Sequence, residues 1–211
     1  AEDYMALMTP VLKGYLTDKG FKICSDAMQV HGGSGFTEHF PASQYLRDCR
    51  ISMIYEGTNG VQALDLVGRK LAANGGRAVM SFFNEIDAFI AAEEANADLK
   101  PFLDALADAK ADLNDGTMWL MQNGLMNPDN AGAASTDYMH LFGVTGLAYM
   151  WALMAKAAFA KIAAGDTDPF YTSKLAAGRY YIARVLPDAK AHLAKLKTGA
   201  DVLMSLPAEA F

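Results

Sequence analysis

The chain has 211 residues, 52% of them hydrophobic, and its 18 Lys and Arg against 24 Asp and Glu give a net charge of −6. That length makes one large domain or two small ones with a sizeable core, and the acidic balance argues against a nucleic-acid binder, which would carry a basic patch or stripe. Two cysteines, Cys24 and Cys49, make no disulfide framework and suit a reducing cytoplasm as small buried hydrophobes, and no CxxC or HExxH spacing points to a metal.

Apolar residues recur at helical spacing almost everywhere and strand signals are nearly absent, so an all-α chain is expected. Ala1-Glu2-Asp3-Tyr4-Met5 shows no basic region leading into an apolar run, so no signal peptide is expected in this stretch. Met5, Met8, Val11 and Leu12 form one stripe and continue a helix that begins before residue 1. Thr17 then serves as N-cap of a helix through Ile23, Ala27 and Val30. Gly32-Gly33, free to take positive φ, end it. The next helix starts near Pro41 or Ala42 and turns Leu46, Cys49 and Met53 inward. From about Asn59 another carries Val61, Leu64, Leu66, Val67 and Leu71 to the core and stops at Asn74-Gly75-Gly76. That Gly-Gly is the expected domain boundary, with a helical unit over 1–75 and a second helical bundle over 76–211.

Beyond it the composition shifts. From Glu85 to Asp115 there are nine acidic residues and two lysines, beside a clean stripe of Val79, Phe82, Phe83, Ile86, Phe89 and Ile90. Pro101 suits the first turn of a helix that puts Phe102, Leu106 and Leu113 on one face. Asn127-Pro128-Asp129 breaks the chain, and a long helix follows from about Ala133 to Ala164, closed by Gly165. Its stretch Leu141 to Ala155 is shorter than a typical membrane span and reads as a buried core helix, so no membrane partner is expected. Asp168-Pro169 opens the last long helix, through Leu175, Ala183 and Leu186, kinked at Pro187. Lys156 to Lys197 holds eight basic residues and three acidic ones. The acidic and basic halves either face each other across helices or stand as solvated faces. Trp119, His140, Trp151, Tyr180 and Tyr181 sit at helical spacing and read as core.

Two places carry chemistry. Glu56, in Ile54-Tyr55-Glu56-Gly57-Thr58, is either a carboxylate capping the following helix, favoured there by the helix dipole, or a tuned base held by a tight glycine turn. Gly32-Gly33-Ser34-Gly35 either only terminates a helix or lets backbone approach a phosphate closely; no strand precedes it, so it is not the dinucleotide fingerprint.

Taken together, Gln29-Val30-His31-Gly32-Gly33-Ser34-Gly35-Phe36, Leu46-Arg47-Asp48 and Ile54-Tyr55-Glu56-Gly57-Thr58, in this order and spacing, resemble the C-terminal helical domain of the acyl-CoA dehydrogenases over about residues 1–74. The resemblance implies that Glu56 is the base that removes the α-proton of an acyl-CoA thioester while the β-hydrogen leaves as hydride to FAD. Glu56 and Gly57 would meet the substrate, the Glu56 N–H helping to hold the thioester carbonyl as charge develops on it. Burial beside flavin and acyl chain would raise the base toward neutral pH. Gln29, Val30, His31, Gly32 and Gly33 would bind the ADP part of a flavin held mainly by another subunit, and Thr58, Asn59 and Gly60 would make a second flavin contact. The chain departs from the pattern at Gly60, where the family has Gln or Glu, leaving only backbone to offer. Arg47 and Asp48 read as structural, and His31 as a loop-packing residue.

Residues from about 77 to 211 resemble the helical extension of a longer subgroup that includes the 3-(methylthio)propanoyl-CoA dehydrogenases. The family further implies a homodimer or homotetramer, fatty acid metabolism as setting and electron-transfer flavoprotein as acceptor. It also places an N-terminal helical domain and a β-domain ahead of this part, so this chain alone is expected to be inactive and to hold FAD weakly or not at all. The competing readings are a non-catalytic helical assembly module and an acyl-CoA oxidase.

Overall fold

A computed structural model describes residues 2–210, and among them the fold is built of helices with no strand. The expected helical start before residue 1 lies outside the described residues. The first helix, α1 (Glu2–Val30), is one continuous rod of 29 residues. The N-cap expected at Thr17 is therefore wrong. Thr17 sits mid-helix, where its hydroxyl donates to the carbonyl of Lys13, one turn back, at 2.7 Å. The local preference of threonine for a cap yields to the packing of α1 against later helices.

Three short helices follow, α2 (Gly33–Phe36), α3 (Ala42–Ile51) and α4 (Asn59–Asp65), the last running on as a π turn over Leu66–Lys70. Ala63, Leu66 and Leu71 take the inner face, whereas Val61 and Leu64, expected to point inward, are exposed. The small Ala63 lets the backbone approach its neighbours, and the π turn shifts the register that a constant 3.6-residue spacing assumes. Cys24 and Cys49 are half-buried neighbours between α1 and α3 rather than fully buried. Lost hydration pushes the Cys24 thiol up, and the Cys49 thiol beside it adds to the effect.

Asn74, Gly75 and Gly76 take left-handed backbone at φ 50°, 69° and 76° and turn the chain into α5 (Arg77–Glu93). Then come α6 (Lys100–Met126), with Pro101 in its first turn, and α7 (Pro128–Ala163). The latter starts at Pro128 rather than near Ala133, because the Asn127 side chain accepts the Asp129 N–H at 3.0 Å. Asp168 caps α8 (Pro169–Tyr180) in the same way, accepting from Phe170 at 2.9 Å. A second π turn, Tyr181–Val185, leads to Pro187 and α9 (Asp188–Leu196). This turn separates two adjacent tyrosines: Tyr181 is buried and donates to the Val144 carbonyl at 2.8 Å, while Tyr180, expected in the core, is exposed.

The core is continuous across the join at residues 75 and 76, running from Leu7, Val11 and Tyr15 through Leu66 and Phe82 to Phe142, Leu175 and Leu196. At its centre is α7, packed against α1, α4, α6, α8 and α9. By length and composition α7 could cross a membrane, but 56% of its most apolar window is covered by the rest of the chain. Two glycines set how closely α1 and α7 approach. A Cβ on Gly143 of α7 would lie 2.2 Å from Cγ of Tyr15, and one on Gly14 of α1 would lie 2.3 Å from Sδ of Met139. Between the acidic and basic halves, Lys156 pairs with Glu93 and Lys197 with Asp115, each at 2.5 Å, while Glu94 and Asp98 remain exposed.

Candidate active site

After α3 the chain makes tight turns: the Ile54 and Tyr55 N–H groups both donate to the Ile51 carbonyl, at 2.9 and 3.1 Å. Glu56 and Gly57 then take left-handed backbone, φ 54° and 81°, before Thr58 starts α4. Only Asn74 shares that region with Glu56 among non-glycine residues described, and such a conformation costs about 1–3 kcal/mol. Of the two roles the sequence left open, helix capping falls to another residue: Thr58 Oγ1 accepts the Val61 N–H at 3.4 Å. The Glu56 side chain is exposed. Among the described residues no backbone carbonyl accepts its N–H.

The turn is clamped through its carbonyls. Gln62 Nε2 donates to the Glu56 oxygen at 3.0 Å, and Lys13 Nζ donates to the Gly57 oxygen at 2.7 Å. Lys13 also donates to Asn59 Oδ1 at 2.8 Å. Asn59 is 9% exposed, and its amide turns inward, Nδ2 donating to Asp18 Oδ1 at 2.7 Å and to the Gly14 carbonyl at 3.1 Å. Its side chain thus faces α1, and only its backbone is left for a ligand. Asp18 Oδ2 in turn meets His140 Nε2 of α7 at 2.8 Å. Lys13, Asp18 and His140 carry no local sequence signal; they lie 44, 41 and 122 residues from the groups they meet.

Burial pushes the Asp18 carboxyl up, but hydrogen bonds from His140 and Asn59 and the nearby Lys13 charge outweigh it and hold the group below its ordinary value. A lowered carboxylate contributes stability above its unfolded pKa of about 3.9 and loses it as pH falls through the lower folded value. Asp18→Asn should therefore be less stable than wild type at pH 6, with the gap shrinking below about pH 4. Urea unfolding of both proteins across that range measures the effect; a gap that widens in acid would contradict it.

The second cluster stands apart. Gln29, Val30, His31, Gly32 and Gly33 are all exposed at the C-terminal end of α1, and Gly32 has φ 60°. His31 packs beside Phe40, ring centroids 6.5 Å apart and 27° between planes. A Cβ on Gly32 or Gly33 would meet nothing within 4 Å, so this backbone lies open. Lys13 grips the Glu56 turn, and the 16 residues to Gln29 span about 24 Å of helix at 1.5 Å each. Gly60 is exposed in the first turn of α4, near Glu56 and not near this loop.

Residues 2–71 match the family described as acyl-CoA dehydrogenase, C-terminal domain, and residues 82–207 the one described as acetyl-CoA dehydrogenase C-terminal like. The chain is 31% identical over 206 residues to the 3-methylmercaptopropionyl-CoA dehydrogenase of Ruegeria pomeroyi, covering 97% of this chain and 35% of that protein. It is 30% identical over 216 residues to the broad-specificity linear acyl-CoA dehydrogenase FadE5 of Mycobacterium tuberculosis, with 97% and 35% covered. Against a butyryl-CoA dehydrogenase of Syntrophomonas wolfei the identity is 29%, over 100% of this chain and 35% of the relative. The chain thus spans about a third of the length of these relatives.

Proposed function

The chain belongs to the acyl-CoA dehydrogenase family as C-terminal sequence, and on that premise we propose that it supplies the base for α,β-dehydrogenation of an acyl-CoA thioester by a longer, FAD-dependent enzyme. The observation that carries this reading is the Glu56 turn. A glutamate held in a costly left-handed conformation, with its carboxylate exposed and the cap supplied by Thr58, is placed to act on something outside this chain.

Glu56 takes an α-hydrogen of the thioester as a proton. The free N–H of the same residue donates to the thioester oxygen, where negative charge grows as that proton leaves. The clamps from Lys13 and Gln62 on the two turn carbonyls fix where both groups point. FAD, when bound, supplies the acceptor for the β-hydride. The open backbone of Gly32 and Gly33 fits a group that must approach the main chain closely, and Val30 and Phe36 beside it, 87% and 76% exposed, offer apolar contact. Thr58 and Gly60, with the Asn59 backbone, would meet the flavin near Glu56. The turn cluster meets α1 between Lys13 and Asp18, 11 to 16 residues or about 16–24 Å of helix before Gln29, which suits two different cofactors in a homodimer or homotetramer better than one. Electron-transfer flavoprotein is the proposed electron acceptor.

The test is anaerobic mixing of the complete enzyme with saturated acyl-CoA thioesters. Loss of the visible flavin absorbance is expected; a complete enzyme that no acyl-CoA bleaches would defeat the reading. This chain on its own should purify colourless or nearly so, since it covers a third of the relatives' length. A stoichiometric flavin spectrum from it would contradict that expectation.

A further inference from the structure

We propose that His140, in the helical extension, is a positioning residue for the Glu56 turn. The inference rests on the reading of Glu56 as the base. His140 touches neither Glu56 nor Gly57. It reaches them through an unbroken polar chain: His140 Nε2 to Asp18 Oδ2 at 2.8 Å, Asp18 Oδ1 to Asn59 Nδ2 at 2.7 Å, Asn59 Oδ1 to Lys13 Nζ at 2.8 Å, and Lys13 Nζ to the Gly57 carbonyl at 2.7 Å.

Every link is short, and all four involve the Asp18 carboxylate or the Lys13 ammonium, the class of hydrogen bond that holds geometry most firmly. Asn59 at the middle of the chain is buried and Asp18 and His140 are largely covered, so water does not readily replace a lost partner. Asp18 uses one oxygen for each neighbour. Removing His140 therefore frees the carboxylate to rotate, and Asn59 loses its fixed acceptor. Asn59 also starts α4, so its position sets where the Glu56-Gly57 turn enters that helix. His140 itself is also held by ring contacts: the Tyr15 ring meets it in a T-shaped pair with centroids 5.4 Å apart, and its ring lies 5.2 Å from that of His192, which bonds Asp137 at 2.7 Å. A helix of the extension thus sets the orientation of a turn more than 80 residues earlier in sequence.

The experiment compares His140→Ala, His140→Gln and Glu56→Gln in the complete enzyme. The readings are the rate of flavin reduction by acyl-CoA, the affinity for acyl-CoA, and amide hydrogen exchange over residues 55–61 without substrate. His140→Ala should slow reduction about 10- to 100-fold, as displacement of a reacting group does, with affinity nearly unchanged and faster exchange over 55–61. His140→Gln, whose Nε2 donates to the same carboxylate, should recover most of both. If His140→Ala lowers the melting temperature but reduces flavin and exchanges over 55–61 as wild type does, His140 is only structural and the inference is overturned. Should His140→Ala not fold, Asp18→Ala removes both carboxylate oxygens, breaks the same chain, and the same readings decide. If Glu56→Gln retains the wild-type rate, the base lies elsewhere and the inference falls with that reading. If Glu56→Gln is inactive while the chain-breaking variant matches wild type, the inference alone falls.

Discussion

In the complete enzyme, Glu56→Gln should lower the rate of flavin reduction by about 10²–10⁴-fold, the usual contribution of a positioned general base. The amide is nearly isosteric with the carboxylate but does not accept a proton near neutral pH. It meets the same left-handed backbone, so the turn keeps its shape and the Lys13 and Gln62 clamps still find their carbonyls. Flavin content and thioester affinity should therefore change little, and the loss should appear in kcat with KM nearly constant. A helix-capping role for Glu56 makes the reverse expectation, a stability loss of about 1 kcal/mol with chemistry kept. Rapid-mixing measurement of flavin bleaching under anaerobic conditions separates the two, and bleaching of the Gln variant at close to the wild-type rate would show that Glu56 is not the base.

The second large effect concerns the seam between α1 and α7. Replacing Gly with Ala inside a helix ordinarily gains about 0.5–1 kcal/mol. At Gly143 the added methyl would sit 2.2, 2.5 and 2.7 Å from Cγ, Cδ1 and Cβ of Tyr15, a buried ring whose root, rather than a flexible tip, blocks the space. Overpacking of this kind costs about 1–3 kcal/mol and wins over the helical gain. Gly143→Val, bulkier again, should be worse than Gly143→Ala. Gly146 lies on the same helix with nothing within 4 Å of its added Cβ, and Gly146→Ala should stabilise. Opposite signs three residues apart, read by urea unfolding of the three variants against wild type, would locate the seam. A neutral Gly143→Val would mean that α1 does not lie where the structure puts it.

Some helix ends were legible because their chemistry is local. Asp168 and the Asn74-Gly75-Gly76 turn each act on backbone within a few residues, whereas Asn127 reads as a break in the chain and proves to be the cap of α7. What the sequence concealed was non-local. Thr17 looks like a cap in isolation and becomes an interior residue only because α3, α4 and α7 pack along α1. The outward turn of Val61, Leu64 and Tyr180 also escaped a reading by constant period, which has no means of placing the two π turns. At the site, Glu56 and the Gln29–Gly33 loop stand out by residue type and spacing. The groups that hold the Glu56 turn do not, since Lys13, Asp18 and His140 are ordinary residues until the fold brings them together.

The backbone of Glu56 also bears on any effort to make this protein more robust. At φ 54° a glycine would relieve strain that a side chain cannot, by about 1 kcal/mol, and an asparagine would relieve part of it. A library of variants sorted on heat resistance alone would therefore enrich those residues at position 56. The winners of such a sort would be the sturdiest molecules and would have discarded the carboxylate, so thermal selection here must be paired with a screen for turnover.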